Sequence, residues 1–202
     1  MKRLILCLML AMAASAAASM LIGPSNFLDI ILRSPQGLVL IGRTMMAFSI
    51  VYPVTGNTLL SAFAAIMFNN SIALAAVLAS PPLIHSAYGM RLSRRWAGMR
   101  FFKRSGDVGW RFYSRMMAIV AIMYVVGFGA QIPAVLAVKG PAAFMLLEGI
   151  HVFLAAAVVD KASKLEPGSF AQRYSRMVRR YLPIILLLLT MSAAVEAYEA
   201  VA

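Results

Sequence analysis

Five stretches of this chain run about twenty residues with almost no charge, at 4–22, 58–84, 116–138, 141–160 and 182–202. Crossing the roughly 30 Å hydrocarbon layer of a bilayer takes about 20 apolar residues in a helix. Only helices and closed barrels satisfy their own backbone polar groups there. So many such stretches in 202 residues exclude a soluble globular domain. Composition agrees, with 62% of residues apolar and 13% charged, against about 45–50% and about 25% in soluble domains. The expectation is an all-α, polytopic integral membrane bundle of five transmembrane helices, one domain over 1–202. A sixth apolar stretch, 38–54, is shorter, carries Arg43 near its middle, and is closed by Pro53 and Gly56. It reads as a helix lying on the outer surface or dipping in part-way.

Orientation follows from the Lys and Arg residues, which cytoplasmic loops retain. With the N-terminus inside, sixteen of the 19 fall on the inner side and three, Arg33, Arg43 and Lys139, on the outer side. A six-span arrangement would carry Lys2 and Arg3 outside. The expected product is a multi-pass cell-membrane protein with a cytoplasmic N-terminus and an outer C-terminus. The net charge of +12 then has a membrane explanation and implies no nucleic acid. The first stretch has a second reading, since Lys2-Arg3, an apolar core and Ala14-Ser15-Ala16-Ala17-Ala18-Ser19 also resemble a secretory signal with a small-residue cleavage site. Cys7 is the only cysteine, which excludes an intrachain disulfide and a Cys-based zinc site.

The basic inner segments are patterned. In 168–181, Phe170, Tyr174, Met177 and Tyr181 recur on one helical face, while Arg173, Arg176, Arg179 and Arg180 lie off it. Leu92, Trp96 and Met99 draw a similar stripe through 91–104, among Arg94, Arg95, Arg100, Lys103 and Arg104, and Trp110, Phe112 and Tyr113 add interfacial aromatics. Such basic amphipathic helices either anchor a span to the anionic inner leaflet or offer a docking surface for a partner. Tyr113-Ser114-Arg115-Met116 and Tyr174-Ser175-Arg176-Met177 share four residue types, each leading into a span. The spans before them align without gaps from Ala64 and from Ala142, which sets Asn70 opposite Glu148 and suggests a parallel repeat of two-helix units.

Ionisable groups inside a membrane are costly, so they face protein or water and mark candidate sites. At about 1.5 Å per residue, Gln131, Glu148 and Glu196 each stand roughly 10 Å below the outer surface, on three different spans. His151 lies one turn below Glu148, and Asn69 and Asn70 reach a similar, slightly deeper level. Two readings stay open for Asn69, Asn70, Gln131, Glu148, His151 and Glu196. They form a proton or cation relay, or they are interhelical hydrogen-bond glue. Glu148-x-x-His151 has the spacing of a di-iron carboxylate helix, but the second Glu-x-x-His that such a centre needs is missing, so no metal and no cofactor is expected. The sequon at Asn69-Asn70-Ser71 lies in hydrocarbon, out of a transferase's reach. The chain contains no Gly-x-Ser-x-Gly, His-Glu-x-x-His, Walker loop or Gly-x-Gly-x-x-Gly, so no catalytic residue is expected.

Phe68-Asn69-Asn70 within 63–79, and Ala193-Ala194-Val195-Glu196-Ala197-Tyr198 closing 186–198, resemble the stage II sporulation protein M family of polytopic membrane proteins. The segment from Leu146-Leu147-Glu148-Gly149-Ile150 through Ala157 is similar to a third family stretch, although here His151 follows the glutamate and the family's Pro-His-Gly is absent. The resemblance implies a non-enzymatic membrane protein, associated in spore formers with peptidoglycan-remodelling enzymes. The expected function is a membrane scaffold or subunit of an envelope-associated complex. The expected partners are membrane lipid, with a homodimer or another membrane-complex subunit. The alternative is a small permease or channel subunit in which Glu148 and Glu196 line a solute or cation path. A single cysteine placed beside Arg100 in a Cys7→Ser background is expected to react with an impermeant maleimide only after the cells are opened. Labelling from outside would overturn the topology.

Overall fold

The computed structural model describes residues 2–23, 26, 29, 30, 33, 35–93, 106–139 and 143–201. Its elements are helical throughout: α1 (Lys2–Ile22), α2 (Pro35–Thr55), α3 (Thr58–Ser93), α4 (Gly106–Lys139), α5 (Ala143–Ala162), a 3₁₀ turn (Pro167–Ser169) and α6 (Phe170–Val201). Five of them, α1, α3, α4, α5 and α6, are long and apolar enough to cross a membrane. Prolines 53, 81, 82, 133 and 183 all lie inside helices, as spans tolerate when neighbours re-satisfy the freed carbonyls.

Helix α5 is the centre. Half of its apolar window is buried, against 11% for α1. Its residues Ala156, Val158, Val159 and Ala162 are enclosed by Val77 of α3, Met117 and Val125 of α4, and Phe170 and Tyr174 of α6. A second cluster joins Leu74 and Ala155 to Ile185 and Leu189. Small side chains on the central helix let the others approach closely, which is what packs helices where no hydrophobic effect operates between them. Around this bundle the large apolar side chains face outward, Met20, Leu21 and Leu146 among the most exposed.

Contacts at the two ends fix the directions. At one end Arg3 reaches Asp160, His85 reaches the Pro167 carbonyl, and Trp110 reaches the Leu165 carbonyl. At the other, Ser15 donates to the Ala130 carbonyl, Ser192 to that of Phe144 at 3.2 Å, and the Ala143 amide to Glu199 at 3.2 Å. Hence α1, α4 and α6 run one way and α3 and α5 the other, the alternation expected of five spans. The described Arg and Lys side chains of α4, α5 and α6, together with Lys2 and Arg3, gather at the first end.

Three boundaries differ from the hydropathy reading, which follows apolarity alone, whereas a helix runs on through polar residues. Helix α3 continues to Ser93, α4 begins at Gly106, and the amphipathic 168–181 segment is continuous with the last span as α6. The 38–54 stretch differs more. It is part of a 21-residue helix folded back along α3, with Met46, Ala47, Ile50 and Val51 facing Ala64 and Phe68. The turn explains this. Gly56 adopts φ +60°, the left-handed conformation that ends a helix at low cost. Asn57 then caps α3, its Oδ1 accepting from the Leu60 amide at 3.0 Å. Thr55 and Ser61 hydroxyls lie 3.1 Å apart across the hairpin.

The small-residue face of α1 is used within the chain. Ser15 and Ser19 are buried, and Leu8 and Ala11 meet Gly129 of α4. A Cβ at Gly129 would stand 2.8 Å from Leu8 Cδ1 and 3.2 Å from the Leu8 carbonyl oxygen. Gly127, two residues earlier, has open space at that position. Gly129→Val is therefore expected to lower the melting temperature in detergent, at a cost of about 1–3 kcal/mol, whereas Gly127→Val changes it little.

Candidate functional site

Two polar constellations stand apart from the apolar packing. The first lies within the bundle. Glu148 of α5 is half-buried and within electrostatic reach of half-buried Glu196 of α6. Tyr124 of α4 feels the Glu148 charge as well. Three helices thus bring two carboxyls and one phenol together, which a stretch of hydrocarbon-facing surface would not tolerate. His151, one turn along from Glu148, is 1% exposed, and its Nδ1 has no hydrogen-bond partner. On α3, the Asn69 side-chain amide donates to Asn70 Oδ1 at 3.4 Å. Asn70 falls between Met67 and Leu74 on the face that packs against α5 and α6. Asn70 and His151 stand one turn from Leu74 and Ala155 respectively, two residues of one packed cluster, and so share a level.

Gln131 does not belong to this group. It is exposed on α4. Depth along a helix follows from residue count, but rotation about the axis is set by what the helix packs against. Tyr124 was missed for the converse reason: a tyrosine in an apolar run looks like core, and only its hydroxyl's company gives it away. Among the described residues no group of three or more His, Cys, Asp or Glu is placed to hold a metal ion.

The second constellation forms the floor of the basic end. The His85 ring stacks on Phe170 at 4.4 Å and meets Trp110 edge-on at 5.8 Å. Tyr88 packs against Trp110 at 5.2 Å and Tyr113 at 5.4 Å, and Phe170 stacks on Tyr174 at 5.5 Å. His85 Nε2 lies 3.1 Å from the Pro167 carbonyl oxygen, Trp110 Nε1 donates to the Leu165 carbonyl at 2.9 Å, and the Tyr174 hydroxyl donates to the Leu78 carbonyl. Rings from α3, α4 and α6 therefore clamp the α5–α6 connection. The Phe170–Tyr174 side of 168–181 faces this floor and not lipid, which corrects the expectation of an inner-leaflet apolar stripe. The opposite side leaves Arg173, Arg176, Arg179 and Arg180 exposed, joined by Arg111, Arg115, Lys161 and Lys164. Arg94, Arg95, Trp96, Arg100, Lys103 and Arg104 lie outside the described residues.

Within this end, charge is partly consumed and partly free. Asp160, 2% exposed, takes Arg3 and Lys164, the latter at 3.1 Å. This ties α1 to the central helix. By contrast Lys161 Nζ and the Arg180 guanidinium stand 5.4 Å and 5.8 Å from the centroid of the same Tyr181 ring. Neither forms an ion pair with a described residue. Two such cations on one interfacial ring suit a lipid phosphate.

No family model matches the chain, and no curated protein and no solved structure is significantly similar to it.

Phosphatidylglycerol is expected to raise the melting temperature of the purified protein above its value in phosphatidylcholine. The double substitution Lys161→Gln/Arg180→Gln should reduce that increment by about 1 kcal/mol per charge removed.

Proposed function

We propose that the chain is a non-enzymatic scaffold of the cell membrane, a subunit of an envelope-associated complex, with its basic end and N-terminus in the cytoplasm and its C-terminus outside. The observation that carries this reading is the basic end itself. An aromatic floor built from three helices holds it in one shape, and the cations it carries point away from the bundle. A loose anchoring segment has no use for a clamped underside, whereas a docking surface needs one. The positive-inside rule supports the orientation. The resemblance of Phe68-Asn69-Asn70 and of the closing Ala-rich Glu-aromatic segment to the stage II sporulation protein M family supports the scaffold class.

A permease or channel subunit is the second reading, favoured by the Glu148–Glu196–Tyr124 group inside the bundle. The two readings separate on Glu148. In the scaffold, a neutral amide preserves the hydrogen bonds of a protonated carboxyl. Purified protein in liposomes is therefore expected to pass protons and monovalent cations no faster than protein-free vesicles, and Glu148→Gln to leave its assembly size in native membranes unchanged. Charge reversal at Arg173, Arg176 and Arg179 should reduce that assembly size. Cation flux through the wild type that Glu148→Gln abolishes, in protein that remains folded, would replace the scaffold reading with the permease.

A further inference from the structure

The stripe by which α1 packs runs the length of the helix. Leu4, Leu8, Ala11, Ser15 and Ser19 follow one another at steps of three or four residues, which is one face of a 3.6-residue period. Leu4 is fully enclosed in the apolar cluster that holds Met117, Ala121 and Val159, and Ser15 and Ser19 are buried. On the opposite face Leu6, Leu10, Ala17 and Met20 are exposed. The helix continues without a break from Lys2 to Ile22, through the Ala14 to Ser19 stretch whose small residues also suit a peptidase.

Distant parts of the chain are shaped to receive this stripe. Gly129 of α4 leaves out the side chain that Leu8 and Ala11 would meet. Pro133, four residues on, has no amide to give the Gly129 carbonyl, and Ser15 donates to the neighbouring carbonyl of Ala130. At the basic end Asp160 of α5 is 2% exposed, and Arg3 Nε donates to its Oδ1 at 2.8 Å. The other cation on that carboxylate is Lys164, at 3.1 Å on a side chain 63% exposed. Loss of α1 would strip a buried carboxylate of its closer partner, a strongly destabilising change. Proteolytic cutting favours exposed, unwound backbone. Here the backbone is helical, and two of the six residues from Ala14 to Ser19 are buried. Small residues are what close helix contacts require.

We propose that α1 is a permanent helix of the mature bundle, with Arg3 as the counter-ion of Asp160 and with 14–19 serving as a helix contact instead of a peptidase site. The inference goes beyond the scaffold reading and is independent of it, since a scaffold and a permease use the same bundle. It also sets an order of assembly. Arg3 and Asp160 are 157 residues apart in the chain, so α1 takes its seat only after α5 has been made.

The test uses the full chain with a C-terminal tag, made in bacterial cells that have an active leader peptidase and purified from their membranes. Its intact mass is expected to include every residue from Lys2 onward. A new N-terminus created by cutting within or just after 14–19 overturns the proposal. Ala17→Leu, on the exposed face, is expected to leave the melting temperature in detergent unchanged, whereas Ser15→Leu lowers it. A Ser15→Leu protein as stable as the wild type overturns the helix contact. The ion pair is read from a double-mutant cycle. Arg3→Gln is expected to lower the melting temperature by several degrees, Arg3→Lys to keep most of the stability, and Arg3→Gln to cost little more once Asp160→Asn is present. Equal losses in the two backgrounds overturn the pairing. Where Arg3→Gln fails to accumulate in the membrane, Asp160→Asn leaves the N-terminal sequence intact. Adding Arg3→Lys to Asp160→Asn then changes nothing if the pairing is right, and overturns it if stability falls as far as it does without Asp160→Asn.

Discussion

The bundle depends on how little side chain α5 presents. Ala155, Ala156, Val159 and Ala162 are completely enclosed, and each allows a neighbouring helix to come near the α5 backbone. In lipid, association gains nothing from expelling water, so dispersion contacts at short interhelical distance must supply it. The same economy recurs at Gly149, where a Cβ would come within 3.1 Å of Phe128 Cε1. Around such an axis four helices close, and among the described residues few buried side-chain polar atoms, His151 Nδ1 and Ser169 Oγ, are left without a hydrogen-bond partner. The buried hydroxyls of Ser15, Ser163 and Ser192 each donate to a backbone carbonyl.

Much of this architecture is legible in the sequence because lipid imposes a length on every span. The five apolar stretches are the five candidate membrane helices, and the distribution of basic residues agrees with the end at which they gather. The ends of the helices were less legible. From Phe170 to Tyr181 the rule changes: aromatic side chains find partners on α3 and α4, and the helix extends as far as those partners do. The 38–54 stretch shows the same limit. Pro53 and Gly56 announced a turn, but the direction in which it sends the chain depends on the Gly56 conformation and the Asn57 cap, which hydropathy does not register.

The polar groups divide along similar lines. Glu148 and Glu196 were found because carboxylates in apolar runs are rare and expensive, so their depth alone made them candidates for one another's company. Gln131 has the same depth and the wrong azimuth. Tyr124 has the right azimuth and an unremarkable identity. The aromatic floor was visible only as separate interfacial residues, since no spacing rule relates His85 to Trp110 or Phe170 across three helices.

Helix α6 runs 32 residues without interruption, a rod of about 48 Å, from the charged overhang at Arg173 and Arg176 to Glu196 and Glu199. Pro183 has no amide hydrogen, so the carbonyl of Arg179 loses its intrahelical partner there. That makes the joint between overhang and span the softest in bending, yet the path of the backbone through it stays helical. Bending and twisting are thereby separated. The inclination of the overhang is held by stacked rings at Phe170 and Tyr174, whereas a rotation of the overhang about its own axis is also a rotation of Glu196.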